Sequence, residues 1–154
     1  MKNISYYNSP LGFVKIVCRG DFLVELSFVK ESSKSNENRA TLTCKEQLSA
    51  YFKGDLKSFD LQIDFEIGTE FQKKVWNTLL KIPYGKTLSY KELALMIDNP
   101  KAIRAVGGAN NKNPIAIIVP CHRVIGANGK LVGYASGVEK KQFLLNLEKE
   151  NLYM

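Results

Sequence analysis

The chain has a single histidine, and it directly follows a cysteine, in Pro120-Cys121-His122-Arg123. Cysteine chemistry runs through the thiolate, and nearby cationic groups lower a thiol's pKa from about 8.5. Residues 115–119, Ile-Ala-Ile-Ile-Val, have the composition of a buried strand leading into this tetrapeptide. Proline before the cysteine favours an extended or turned backbone at Val119 and removes one ladder donor. Cys121 is therefore expected where that strand ends, at the rim of a pocket. Neighbouring side chains on an extended segment point apart, so His122 would reach the thiol only through a water or a bend. Taken alone, such a dipeptide is more often a buried structural cysteine beside a satisfied core histidine.

A second group of residues suggests chemistry of another kind. Ala102, Ala105, Gly107, Gly108 and Ala109 are small, and Arg104 is the one long polar chain among them. A helix built this way can lie close to another surface, either a neighbouring helix or a nucleic-acid groove into which the arginine projects. The charge distribution bears on the choice. Residues 1–68 hold nine Lys/Arg and nine Asp/Glu, whereas residues 69–154 hold thirteen and six, which is the whole net charge of +7. A one-sided basic module suits phosphate, although a solvated surface has the same composition.

Composition and local pattern then give the elements that must position these groups. At 154 residues and 45% hydrophobic, the chain is long enough for a real core and too apolar for disorder. It has no apolar run of membrane-spanning length and no secretory leader at its start. Three cysteines are too few for a disulfide framework and point to the reducing cytoplasm. One histidine excludes any site that needs two imidazoles.

Residues 11–28 alternate in the manner of a β-hairpin around Arg19-Gly20-Asp21, within a first thirty residues that read as antiparallel sheet. Residues 31–38 are a polar loop. Leu42, Leu48, Tyr51 and Phe52 follow a helical period, and residues 61–67 alternate as a half-buried strand. Gly68 marks a boundary, after which helices dominate. Thr69 with Gln72 and Ser89 with Glu92 have the form of capping boxes. Pro100 suits the first turn of a third helix, which is expected to fray at Gly107-Gly108. The last two helices have the outline of a helix-turn-helix. The expected architecture is α/β: an N-terminal domain, 1–68, with a small antiparallel sheet and a helix, and a C-terminal helical, winged-helix-like domain, 69–154.

Pro120-Cys121-His122-Arg123-Val124 resembles the active-site motif of the O6-alkylguanine-DNA alkyltransferases, the methylated-DNA–protein-cysteine methyltransferases. Asn99-Pro100-Lys101-Ala102, Arg104-Ala105-Val106-Gly107-Gly108-Ala109, Asn113-Pro114, Gly133-Tyr134 and Leu144-Leu145 through Glu148 resemble the family at matching spacing. The resemblance is close over residues 69–150. Over 1–68 it extends to the order of elements and the length, where the family has a ribonuclease H-like domain.

The resemblance implies direct-reversal DNA repair. The protein would bind double-stranded DNA, extrude an O6-alkylguanine and keep the alkyl group on Cys121 in a single suicide turnover, with acceptance of O4-alkylthymine left open. It implies no cofactor and a protein that works as a monomer. His122 would act through a water oriented by Glu148, Asn113 would hold the turn leading to Cys121, and Tyr90 would help rotate the nucleotide and donate to the base. Arg104 would fill the gap in the duplex, with Ala102, Ala105, Gly107, Gly108 and Arg123 at the DNA surface. Val124, Tyr134, Ala135 and Ser136 would line the pocket, with the Cys121 and Val124 carbonyls accepting from the exocyclic amine. Two departures stand out. The zinc site of some members cannot be built here, since Cys18 and Cys44 have no two histidines to join. Ser136 stands where many members have glycine. Two other readings of the chain are a cysteine hydrolase using Cys121 and His122, and a non-enzymatic damage-binding protein, a class that lacks the cysteine.

Overall fold

The computed structural model describes residues 1–153, which form two units. The first comprises Met1–Glu66 with Pro114–Ala116, and the second Ile67–Asn113 with the chain from Ile117 onward.

In the first unit, strands β1 (Lys2–Ser9), β2 (Gly12–Arg19) and β3 (Phe22–Val29) form an antiparallel meander. Gly20 adopts a φ of +58° in the tight link between β2 and β3, a conformation that costs glycine nothing. Val14, Ile16, Cys18, Leu23 and Leu26 are buried. Helix α1 (Arg39–Phe52) starts at Asn38, which forms a reciprocal capping box with Thr41. Its buried residues are Thr41, Cys44, Leu48, Tyr51 and Phe52, whereas Leu42, expected inward, is exposed.

The alternation of residues 61–67 yields only a two-residue strand, β4 (Gln62–Ile63), parallel to β3. The edge of β3 explains the short strand. Asp64 adds one more bond, its amide donating to the Leu23 carbonyl, but the Leu26 backbone is already occupied. The Leu26 amide donates to Pro114 O at 2.9 Å, and the Ala116 amide donates to Leu26 O at 2.9 Å. A sheet edge offers one set of donors and acceptors, and here two segments share it.

That pairing also corrects the expected strand at 115–119. Ile115 makes one isolated bridge to Leu26, and the chain then turns. Ile117 sits at φ +70°, a left-handed conformation that costs a β-branched residue about 1–3 kcal/mol. The apolar run is buried, as its composition requires, but as a turn.

The second unit begins with α2 (Glu70–Leu79), capped by Thr69 and Gln72 as expected. Val75, Trp76 and Leu79 are buried, and the Trp76 indole donates to Ala109 O at 2.7 Å. Helix α3 (Tyr90–Met96) is capped by Ser89 and Glu92, and α4 (Ile103–Asn111) follows. Helix α4 starts three residues after Pro100, with Ala102 as its cap, and continues through Gly107-Gly108. Glycine weakens a helix by only about 1 kcal/mol relative to alanine, and the buried Val106, Ala109 and Asn110 hold this helix in place.

Two short strands, β5 (Leu88–Ser89) and β6 (Val124–Ile125), pair in parallel and bring the start of α3 beside the residues following Cys121. Residues Cys121–Arg123 form a 3₁₀ turn, and α5 (Val138–Glu150) closes the unit. No helix among the described residues is long and apolar enough to cross a membrane.

Candidate active site

Cys121 and His122 lie in a 3₁₀ turn rather than on an extended strand. Both are buried, and the electrostatic centre of the site is Glu148 on α5. One carboxylate oxygen lies 2.6 Å from His122 Nε2 and accepts from an Arg123 terminal nitrogen at 3.0 Å. The other accepts from Arg123 Nε at 2.8 Å and from the Gly85 amide at 3.2 Å. Burial pushes this carboxyl up, but the hydrogen bonds and charges of His122 and Arg123 outweigh it and hold the pKa well below the usual range. An ionised carboxylate only accepts, so Nε2 carries the imidazole proton. The other nitrogen, Nδ1, is the free lone pair and has no partner in the protein. Burial lowers the His122 pKa, and Glu148 only partly opposes it, so the imidazole is neutral and basic at pH 7.

Burial also pushes the Cys121 thiol up, while a hydrogen bond from Asn113 and the charge of Lys141 draw it down. Asn113 donates to Val119 O at 2.8 Å, tying the turn before the cysteine. Tyr90 donates its hydroxyl to Val132 O at 3.0 Å. Its pKa is raised by burial and by the Cys121 charge. Tyr134 is buried with its hydroxyl unpartnered, and burial followed by the Cys121 charge raises its pKa further. Val124 is buried, Ser136 half-buried and Ala135 exposed.

On α4, Arg104, Ala105 and Gly108 are exposed on one face, while Ala102 and Gly107 are half-buried. A side chain at Gly107 would touch the Tyr90 ring at 3.7 Å, so this position packs inward. Lys101 and Lys112 are exposed at the two ends of the helix. The small-residue stripe is therefore divided: part packs on Tyr90, and part offers an open surface beside Arg104.

Arg123 departs from its expected place at the DNA surface. It is buried, bound to Glu148 and to Ile82 O at 2.7 Å, and stacked 5.8 Å from the Tyr84 ring centroid. With all three guanidinium nitrogens bonded inside the protein, Arg123 positions Glu148.

Three participants were not expected from the sequence. Lys141 is fully buried, donates to Val132 O at 2.9 Å and lies 5.9 Å from the Tyr90 ring centroid. Burial lowers its pKa to about 8, against the pull of Cys121. Asn110 is buried and donates to Cys121 O at 3.4 Å. Gly85, at φ +75°, supplies the amide that binds Glu148. Lys141 did carry a signal, since Lys141, Leu144 and Glu148 have i, i+3, i+7 spacing on one helical face. That spacing put a cation and an anion on the side where apolar residues belong.

Two family models match the chain: the 6-O-methylguanine DNA methyltransferase ribonuclease-like domain over residues 3–65 and the DNA-binding domain over residues 70–150. A methylated-DNA–protein-cysteine methyltransferase of Methanosarcina acetivorans is 54% identical over 96% of this chain and 86% of its own length. The crystal structure of Mycobacterium tuberculosis O6-methylguanine methyltransferase has a TM-score of 0.89 at 45% identity, covering 98% of this chain and 94% of the other. That of Mycobacterium tuberculosis OGT in complex with DNA has a TM-score of 0.88 at 48% identity, covering 95% and 92%. With both family models matched and half the residues shared with a relative along nearly the whole chain, this protein belongs to the 6-O-methylguanine DNA methyltransferase family.

Proposed function

We propose that this protein repairs O6-alkylguanine in double-stranded DNA by moving the alkyl group to Cys121, once per chain. The observation that carries this reading is the His122–Glu148 pair beside the only cysteine of the second unit. Glu148 fixes the tautomer, so a neutral base stands next in the chain to a thiol that burial keeps protonated. His122 Nδ1 takes the thiol proton through a water. Sulfur then attacks the alkyl carbon, an S–C bond forms, the C–O6 bond breaks, and its electron pair remains on the guanine. Tyr90 donates a hydrogen bond from its hydroxyl to the base and stabilises that charge, which the thiol proton now held on His122 balances, while Lys141 and Asn113 stabilise the thiolate during attack. An alkyl thioether resists hydrolysis at neutral pH, so the reaction ends there.

The target atom lies inside the base stack, so the nucleotide must leave it, at a cost of a few kcal/mol. Arg104 fills the gap, with Ala105 and Gly108 allowing α4 to approach the minor groove. Residues 69–154 act as the DNA-binding and transfer domain and 1–68 as a separate domain. Tyr134, Val124, Ala135 and Ser136 line the pocket, and Ser136 narrows it against bulky groups. The protein acts as a monomer in the cytoplasm, where its three free thiols stay reduced.

Intact mass spectrometry after incubation with a duplex containing O6-methylguanine tests the reading. The expected result is one methyl per chain, on Cys121. Product beyond one equivalent of protein points instead to a hydrolase, and stable DNA binding without any mass gain to a damage-binding protein.

A further inference from the structure

The turn between α2 and β5 holds both charges of the buried ion pair. Ile82 O accepts from Arg123 Nη1 at 2.7 Å, the Tyr84 ring centroid lies 5.8 Å from the guanidinium carbon, and the Gly85 amide donates to Glu148 Oε1 at 3.2 Å. A carbonyl thus meets the cation and an amide meets the anion, from one short segment. The amide reaches Glu148 because residue 85 is glycine. Lys86 N donates to Pro83 O at 3.1 Å, which closes a turn around Tyr84 and Gly85. Gly85 has φ +75° at the third position of that turn, the left-handed value that a type II turn demands there. Its own N–H lies outside the closing bond and is left for the carboxylate. The space on its other side is filled, since an added Cβ would lie 2.6 Å from Leu152 Cδ1. Leu152 follows α5, the helix that carries Glu148. Glycine is therefore required twice, for φ and for the close approach of the chain after α5.

The bonds on Glu148 divide between its two oxygens. Arg123 binds both, which sets the plane of the carboxylate. Oε2 goes on to His122 and Oε1 to Gly85. The Gly85 bond is the one that ties this plane to main chain. We propose that Gly85 is a positioning residue of the transfer reaction, its amide anchoring Glu148 Oε1 so that Oε2 stays on His122 Nε2 and the base keeps one tautomer and one orientation. The assignment rests on the alkyl-transfer reading of the site. The amide also withdraws charge from the carboxylate. Without it Glu148 acts more strongly on His122 and favours the imidazolium, the form that cannot take the thiol proton. Of the groups that act on His122, Glu148 favours that form, while burial, Arg123 and Lys141 oppose it. Tyr84 faces the same carboxylate and the same guanidinium.

The test follows single-turnover transfer from an O6-methylguanine duplex against pH, at protein concentrations that saturate the DNA. In one variant glycolic acid replaces Gly85, which exchanges the N–H for an ester oxygen and keeps the shape of the turn. Its rate at pH 7 should fall about tenfold, equivalent to ~1.4 kcal/mol, and the acid limb of its profile should move to higher pH. Gly85→Ala keeps the amide but drives a methyl group into Leu152, which displaces the turn from Glu148. It should slow transfer with the same movement of the acid limb, and adding Leu152→Ala should recover part of the rate. An acid limb unmoved in both the ester and Gly85→Ala variants, whether or not transfer is slowed, would overturn the assignment and leave Gly85 as a turn glycine. Failure of the wild type to transfer from O6-methylguanine at all is a separate result, and it removes the alkyl-transfer reading itself.

Discussion

Replacing Glu148 with glutamine tests the organisation of the site most directly, because one carboxylate serves four donors. Arg123 lies beneath it, only 7% exposed, with two nitrogens on Glu148 and one on Ile82 O. Glutamine keeps the shape but loses the charge, and it turns an NH₂ group toward donors that need an acceptor. Removing one partner of a buried ion pair costs about 3–5 kcal/mol, because the remaining charge is stranded. That is a large share of the 5–15 kcal/mol of a typical domain. At about 2–4 °C per kcal/mol for chains of this size, Glu148→Gln should lower Tm by roughly 6–20 °C at pH 7, read by calorimetry.

The pH dependence supplies the sign. The folded-state pKa of Glu148 is depressed, so its contribution is complete above the unfolded value of 4.5 and is lost as pH falls below it. The gap between wild type and variant should therefore narrow under acid. Adding Arg123→Met should recover part of the loss, since it removes the stranded charge. A Tm within about 2 °C of wild type, or a gap that stays constant from pH 7 to pH 3, would refute this account.

Two further outcomes follow from the division between the sulfur and the DNA surface. Cys121→Ala should abolish transfer and leave the affinity for an O6-methylguanine duplex unchanged in a binding titration, because the thiol adds no charge to the surface; a parallel loss of binding would contradict this. Arg104→Ala should slow repair of the duplex about tenfold or more, from the few kcal/mol of extrusion, while leaving attack on free O6-benzylguanine intact, and equal slowing of both would move Arg104 out of the base stack.

Where local pattern decides structure, the sequence was legible. Both capping boxes form, because a hydroxyl and a Gln or Glu three residues later satisfy each other within one turn. The hairpin at Gly20 forms for an equally local reason. The misreadings concern competition between distant segments. Residues 61–67 alternate well enough for a longer strand, but Pro114–Ala116 takes the Leu26 position on β3 first. Residues 115–119 have strand composition, yet one bridge is all that the shared edge allows, and Ile117 turns at positive φ. Neither event leaves a mark on its own segment.

The misplacement of Arg123 has a related cause in energetics. Counted as a charge in a basic half, an arginine beside a cysteine belongs on a phosphate-facing surface, and burying it alone would be prohibitive. What makes burial possible is Glu148, twenty-five residues away on another helix. The same reasoning applies to Lys141, whose burial is supported by the Val132 carbonyl and the Tyr90 ring. Under the proposed mechanism these buried charges let a thiol that burial disfavours as an anion react. Burial keeps the imidazole neutral, which under the proposed mechanism leaves the base ready at pH 7. Lys141, with a pKa near 8, is still mostly cationic there and offsets the cost of forming the thiolate. Arg123 holds Glu148 ionised, Glu148 sets the histidine tautomer, and the tautomer leaves the lone pair free. Each depends on a partner from a different element, so the reacting group is set by the tertiary fold rather than by the Pro120-Cys121-His122-Arg123 string alone.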